Sequence, residues 1–391
     1  MKLSIFQRLL LLLKEIKDFT RLFDENNRTI RTLVFYSERD IYYHYYEGYI
    51  NYILDHSDLE ICYITSDEND PVFQRQHKRI SAFYIKHLLA KTIKKLDANV
   101  LVMTMPDLDL YYIKRSANPV NHVYCFHGVG SIHLQYHKKA FNAYDTIFCI
   151  GPYDFQELRK AEEMYHLKPK TLVQCGYYRI EKIYHAYQQL LQKTSVQPSD
   201  TRMILVAPSW HPGNILGGCI PELIAVLKDL DYKVIIRPHP EFIKRQRMDI
   251  ERLRKEVART KNVMLELNMM TETSILTADV LITDWSAISF EYAFGTEKPV
   301  LFINTPCKIV NQDYKSLNLE PIELTLRNQI GISIDIEEIP NIQTMLQHFM
   351  EHKAAFQERI IRCREQYLYH WLHSAEIGGE FLINACSNRE A

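Results

Sequence analysis

The stretch from Ala278 to Pro306, ADVLITDWSAISFEYAFGTEKPVLFINTP, has the grammar of one repeat of a parallel α/β sheet. An apolar strand, Val280 to Ile282, runs into Thr283-Asp284-Trp285-Ser286. A helix is expected from Ser286 to Phe294, with Gly295 closing it, and the next strand starts at Pro299 to Ile303. Asp284 or Ser286 can cap that helix, whose first turn leaves N–H groups unpaired and carries partial positive charge. A helix start of this kind suits a phosphate. Glu291 follows about one and a half turns on, near enough to reach a ribose or another hydroxylated group. An ordinary capped core helix has the same grammar, so the stretch points to the α/β class and leaves the phosphate site as one of two readings.

The same pattern extends through the C-terminal half. The strand Met203 to Ala207 ends in Pro208-Ser209-Trp210-His211-Pro212-Gly213, and the strand Lys233 to Ile236 ends in Arg237-Pro238-His239-Pro240. Two prolines fix φ on both sides of His239 and bias the residues before them toward extended geometry. A rigidly held histidine beside an arginine at a strand's carboxyl end fits an anion site; otherwise it is a strand terminator facing solvent. A charged helix, Glu241 to Arg259, follows, then a strand at Val263 to Leu267 and a short helix at Thr271 to Thr277. Beyond Pro306 a helix is expected at Ile342 to His352 and another at Ala355 to Tyr369, after which the chain reads as less regular.

The N-terminal half is a second α/β unit. Strands are expected at Thr32 to Tyr36, Glu60 to Ile64, Asn99 to Thr104, His122 to Phe126 and Thr146 to Ile150, with a tyrosine-rich helix from Tyr42 to Leu54. Phe126-His127-Gly128-Val129-Gly130-Ser131 follows one of these strands. A histidine at the carboxyl end of a parallel strand points into the crevice where such sheets bind ligands. Gly128 and Gly130 let a substrate approach the backbone closely, and histidine suits proton removal from a hydroxyl near neutral pH. The alternative is a structural histidine in a glycine turn.

Composition sets the frame. The chain has 391 residues, 47% hydrophobic and 24% charged, which is enough for two domains. A formal net charge of -1 gives no global pull toward nucleic acid. Eight cysteines without a CxxC pair read as reduced thiols of a cytoplasmic protein, and no metal-ligand cluster or internal repeat stands out. At the N-terminus the uninterrupted apolar run, Leu9 to Leu13, is far below a membrane span. Leu9, Leu12, Leu13, Ile16, Phe19 and Phe23 recur at helical spacing among Lys2, Arg8, Lys14, Lys17 and Arg21. This is either a basic amphipathic helix on an anionic membrane surface or a helix docked on the protein body. A second basic helix is expected from Lys78 to Leu96.

Two successive α/β halves with polar strand ends describe two Rossmann-like domains facing a cleft. The expected division is an amphipathic segment over 1–30, an N-terminal acceptor domain over 31–180, a nucleotide-donor domain over 200–350 and a helical segment over 351–391. Neither a Walker A loop nor a GxGxxG fingerprint is present, which argues against a P-loop hydrolase and a nicotinamide enzyme. A GT-B type transferase is the solution that remains.

The stretch LITDWSAISFEYAFGTEKPVLF resembles the signature of the CDP-glycerol glycerophosphotransferases of teichoic-acid and capsule synthesis. Phe126-His127-Gly128 looks like that family's histidine-glycine motif, and Gly176-Tyr177-Tyr178-Arg179 like its glycine-tyrosine-x-arginine segment. Ala207 to Trp210 resembles the loop after the first donor-domain strand, and Arg237 to Pro240 the donor-phosphate histidine motif. The resemblance covers roughly residues 120 to 335 and departs from the family where paired serines become Ser286-Ala287, with Ser289 nearby. It implies His127 as catalytic base and His239 as a catalytic group on the donor phosphates. It also implies Arg237, Asp284, Ser286, Ser289, Glu291, Ser209 and Arg179 as donor-binding residues, Gly128 and Gly130 on the acceptor side, and no metal or other cofactor. The implied partners are a CDP-linked polyol, a glycan or lipid-linked acceptor, and the inner face of the cytoplasmic membrane, touched peripherally. A nucleotide-sugar glycosyltransferase is the alternative. A nucleotide-sugar epimerase, with acids drawn from Asp284, Glu291, Asp107 and Asp109, is a more distant one.

Overall fold

The structure, a computed structural model, describes residues 4–75, 77–194, 202–268 and 271–387. The chain divides into two units, one formed by Met1–His127, Tyr136–Tyr178 and Leu368–Ala391, the other by Gly128–Gln135 and Arg179–Tyr367.

The first unit is built on seven parallel strands: β1 (Leu33–Ser37), β2 (Ile61–Thr65), β3 (Ile80–Tyr84), β4 (Val100–Met103), β5 (Asn121–Cys125), β6 (Thr146–Cys149) and β7 (Thr171–Gln174). Their order is β3-β2-β1-β4-β5-β6-β7. The strands β1, β2, β4 and β6 are buried at every position, as expected of a parallel sheet covered on both faces. Strand order reverses between β1 and β4, the switch point at which such sheets open a ligand crevice beyond their carboxyl ends.

Three helices of this unit matter below: α1 (Ile5–Leu22), α2 (Tyr43–His56) and α3 (Leu89–Lys95). The single basic helix expected from Lys78 to Leu96 is not present. Ile80 to Tyr84, which opens on a β-branched residue and closes on two aromatics, pairs with β2 instead, and the basic face is confined to α3. The irregular C-terminal segment is also a helix, Ser374–Ser387, which approaches α2 so closely that a Cβ at Gly378 would lie 2.4 Å from the Tyr49 ring.

Helix α1 docks by its acidic side. Glu15 Oε1 accepts the backbone N–H groups of Lys86 and Leu88 at 2.7 Å each, and Asp18 Oδ2 that of Tyr84 at 2.9 Å. Its apolar side faces outward: Ile5 is 87% exposed, Phe6 68% and Leu13 55%. Lys91 and Lys95 of α3 lie over the rings of Phe19 and Phe23, beside this apolar surface. No described helix is long and apolar enough to cross a membrane.

The second unit holds six parallel strands: β8 (Met203–Val206), β9 (Lys233–Ile236), β10 (Val263–Leu265), β11 (Val280–Thr283), β12 (Val300–Ile303) and β13 (Gly331–Ile334), in the order β10-β9-β8-β11-β12-β13. Val206, Ile236, Ile282 and Leu301 join one core layer with the helices that cover the sheet. Its switch point lies between β8 and β11. The charged helix expected from Glu241 to Arg259 is two helices, Pro240–Arg245 and Arg247–Val257, broken at Gln246.

Two helices of this unit position the site: α4 (Tyr178–Thr194), all but its first residue, and α5 (Ile288–Thr296). Gly295 does not close α5. It lies inside the helix, where a Cβ would meet Ile183 Cγ2 of α4 at 2.5 Å; the residue that ends α5 is Glu297, at φ 59°. Glycine here serves the close approach of two helices, and a left-handed glutamate ends the helix.

Candidate functional site

In the first unit the candidate residues gather around the end of β5. His127 Nδ1 lies 3.1 Å from the carbonyl oxygen of Thr104, the residue after β4. A carbonyl only accepts, so the neutral imidazole carries its proton on Nδ1 and its lone pair on Nε2. That is the tautomer of a base held by its other nitrogen. Tyr42 and Tyr45, at the start of α2, stand edge-on to the ring with centroids 5.4 and 6.3 Å away. Tyr45 in turn stacks on Tyr177 at 6.3 Å. Two tyrosines of the tyrosine-rich stretch thus shape the surroundings of His127.

In the second unit the strand ends β8, β9, β11 and β12 supply the polar groups. Asp284, buried at the end of β11, accepts backbone N–H groups from Ser209 at 2.7 Å, Trp285 at 2.7 Å and Ile215 at 3.1 Å. Its carboxylate therefore ties the β8 loop to the β11 loop across the switch point. Neither Asp284 nor Ser286 caps α5: the N-cap is Ala287, without a side-chain cap. The backbone N–H groups of Ser286, Ala287 and Ile288 have no partner among the described residues. The Ser289 hydroxyl donates to the Ser286 carbonyl at 2.9 Å.

The histidine at the end of β9 has the opposite hydrogen-bond pattern to that of His127. His239 Nδ1 accepts the Glu241 backbone N–H at 3.1 Å and caps the helix Pro240–Arg245, so its neutral ring carries the proton on Nε2. Arg237 beside it donates from Nη1 to Glu266 at 3.0 Å, the Thr271 carbonyl at 2.8 Å and Ser274 at 3.1 Å. Burial holds the Arg237 pKa below the usual arginine range; Glu266 opposes the shift, and the neighbouring Arg179 charge adds to it. Arg179 pairs closely with Glu272 and lies 3.7 Å from Glu291 through Nε. Ser209 is buried, with its hydroxyl 2.9 Å from His211 Nδ1.

The Gly128–Gln135 segment belongs with this unit. A Cβ at Gly128 would lie 3.3 Å from Ala287 Cβ, at the start of α5, and one at Gly130 would lie 2.7 Å from Glu323 Oε1. Glu323 also accepts from Ser131 N at 2.9 Å and Gln135 Nε2 at 3.0 Å. The structure thus sets both glycines against groups of the second unit. Thr104, Glu323 and Arg327 belong to none of the motifs read in the sequence. Arg327, buried, stacks on Trp285, the aromatic residue of the motif, and that aromatic was the only sequence signal pointing toward it.

A family model described as CDP-Glycerol:Poly(glycerophosphate) glycerophosphotransferase matches residues 49–308. No curated protein matches the chain in sequence. Among solved structures, the wall teichoic acid polymerase TagF soaked with CDPG superposes with a TM-score of 0.63 at 14% identity, covering 99% of this chain and 100% of that one. Anabaena Alr3699/HepE in complex with UDP and glucose gives 0.53 at 11% identity, covering 91% and 99%. UDP-GlcNAc 2-epimerase from Neisseria meningitidis gives 0.53 at 11%, again covering 91% and 99%. At such identities the likeness shows the fold, a GT-B-like pair of parallel α/β sheets, which all three share.

Proposed function

The chain belongs to the CDP-glycerol:poly(glycerophosphate) glycerophosphotransferase family, and from that premise we propose that it moves a polyol phosphate, glycerol phosphate first among them, from a CDP-linked donor to a hydroxyl of a cell-surface glycan or lipid-linked acceptor, releasing CMP. His127 Nε2 takes the acceptor's proton. The acceptor oxygen forms its bond to the β-phosphorus as the bond from that phosphorus to the bridging oxygen of CMP breaks. His239 Nε2–H and the N–H groups opening α5 donate to phosphate oxygens, Ser286 and Ser289 lie in the same turn, and Arg237 and Arg179 contribute positive charge. Glu291 and Ser209 are assigned to donor hydroxyls and loop placement. The protein's own donors and cations do this work without a required cofactor.

The opposite tautomers of the two strand-end histidines carry this reading. One ring offers a lone pair and the other a proton, the division of labour that a phosphoryl transfer with an acidified donor and an activated nucleophile needs. The test is to incubate the protein with CDP-glycerol and with CDP-ribitol plus a lipid-linked acceptor, and to measure CMP release. UDP- and CMP-sugars serve as competitors. Release only from a nucleotide sugar would keep the fold and replace the chemistry by glycosyl transfer.

We assign the partner of α1 as an anionic lipid surface on the cytoplasmic side. A helix that docks by its carboxylates and turns Ile5, Phe6 and Leu13 outward, flanked by Lys91 and Lys95, has the charge and apolar pattern of an interfacial anchor.

A further inference from the structure

Arg327 is a cation for which the proposed chemistry has given no task. It is 5% exposed, and its guanidinium carbon lies 4.1 Å from the Trp285 ring centroid and 4.7 Å from that of Phe302. Nη2 donates to Asn304 Oδ1 at 3.1 Å, while Nε and Nη1 are shut away from solvent with no hydrogen-bond partner. Burial pushes its pKa down to about 10, with Asp284 the first charge opposing the shift. Trp285 is itself fixed, since its indole N–H donates to the Thr305 carbonyl at 2.8 Å.

An arginine buried with two unsatisfied nitrogens is costly, and an apolar side chain of similar length would fill the same slot between two rings. The charge is not needed to neutralise Asp284, which already accepts three backbone N–H groups. What lies directly beyond Trp285 in the chain is the turn Ser286–Ile288, with its three unpartnered N–H groups. Lys308 adds a second cation to this region: it makes no hydrogen bond or ion pair among the described residues, and Glu323 and Asp284 are the charges that act on it.

We propose that Arg327 is a positioning residue for an anionic diphosphate at the start of α5: stacked beneath Trp285, it sets the Asp284–Ser289 turn and holds a positive charge behind it. The ligand class is the diphosphate of a nucleotide donor, so the identity of that donor rests on the function proposed above, while the anion site itself does not. Arg327 touches no ligand atom directly; its buried nitrogens act through the ring and through their field, which low surrounding polarity leaves strong.

The test compares wild type, Arg327→Met and Arg327→Lys by calorimetry with inorganic pyrophosphate, CMP, CDP-glycerol and cytidine, together with thermal melting. Arg327→Met is expected to melt no lower than wild type, because it removes a buried unsatisfied charge, and yet to bind each phosphate-bearing ligand roughly tenfold more weakly, with cytidine unaffected. Arg327→Lys is expected to recover part of the loss. Equal pyrophosphate affinity in wild type and Arg327→Met overturns the proposal, as does a fall in cytidine and pyrophosphate binding together with a lower melting temperature, which marks a purely structural stack. Wild-type protein that fails to bind pyrophosphate also overturns it. Pyrophosphate binding that depends on Arg327 in a protein that ignores CDP-glycerol upholds the anion site and sinks the donor assignment. If the methionine variant does not fold, Arg327→Gln carries the same comparison.

Discussion

The backbone N–H of Ser209 donates to Asp284 Oδ1 at 2.7 Å, joining the loop after β8 to the loop after β11 at the point where the second sheet's strand order reverses. Asp284 is 1% exposed and also receives Trp285 and Ile215 N–H groups, so it shapes the crevice by holding backbone. Replacing it by Ala leaves three backbone donors unsatisfied, two of them buried, and is expected to cost about 2–4 kcal/mol of unfolding free energy. Ser286→Ala is expected to cost less than about 0.5 kcal/mol, since Ser286 is half-buried and its hydroxyl holds no partner among the described residues. Urea titration of the two variants measures the difference.

The two strand-end histidines separate by kinetics. His127→Gln is expected to lower kcat about a hundredfold or more and leave the Kd for CDP-glycerol within about twofold of wild type. His239→Gln is expected to weaken donor binding as well as turnover. Calorimetry with unaltered donor affinity in His239→Gln would remove its phosphate role, and normal turnover in His127→Gln would remove the base.

Gly295 of α5 meets Ile183 of α4, where a Cβ would lie 2.5 Å from Ile183 Cγ2 and 2.9 Å from Ile183 Cβ. Gly295→Ala should therefore destabilise by about 1–3 kcal/mol, although alanine is the better helix former. Ile183→Ala combined with it should recover part of that loss. Additive destabilisation in the double variant would contradict the contact.

Anchoring through α1 makes a charge-specific prediction. Leu9 and Leu13 are 52% and 55% exposed, so changing both to Glu should leave the melting temperature unchanged. Sedimentation with phosphatidylserine-containing vesicles should fall at least about tenfold, and wild-type binding should weaken with salt. Equal sedimentation of both proteins excludes α1 as the anchor.

Asp70 is one contributor to the pH dependence of stability. It is 1% exposed and caps the short helix Pro71–Gln74 through Oδ1, while Oδ2 lacks a partner. Burial raises its pKa to about 6. A carboxyl raised in the folded state binds its proton more tightly there than in the unfolded chain, so its contribution favours folding at low pH and is lost as pH rises from about 4 to 6. Asp70→Asn keeps the cap and should raise stability at pH 7 by about 1–3 kcal/mol, with the gain vanishing near pH 4. Denaturant titrations at both pH values read it directly.

The sequence determined the α/β class, because strands buried on both faces announce themselves as apolar runs, and Val280 to Ile282 and Val234 to Ile236 are such runs. It also determined which residues stand at the strand ends, His127, Ser209, Arg237, His239 and Asp284, since a strand's end and its next residue are local facts. Where the surface was half polar the local signal failed: Ile80–Tyr84 reads as part of a basic helix until β2 is there to pair with it. Tertiary structure alone decided what those end residues do. Asp284 binds backbone from a loop about 70 residues away rather than capping its own helix, Gly295 admits Ile183 rather than ending α5, and Arg327 finds Trp285 although strand β12 separates them in the chain. Hydrogen bonds and ring stacks are satisfied by whichever group the folded chain brings within a few ångströms, and no local periodicity encodes that group.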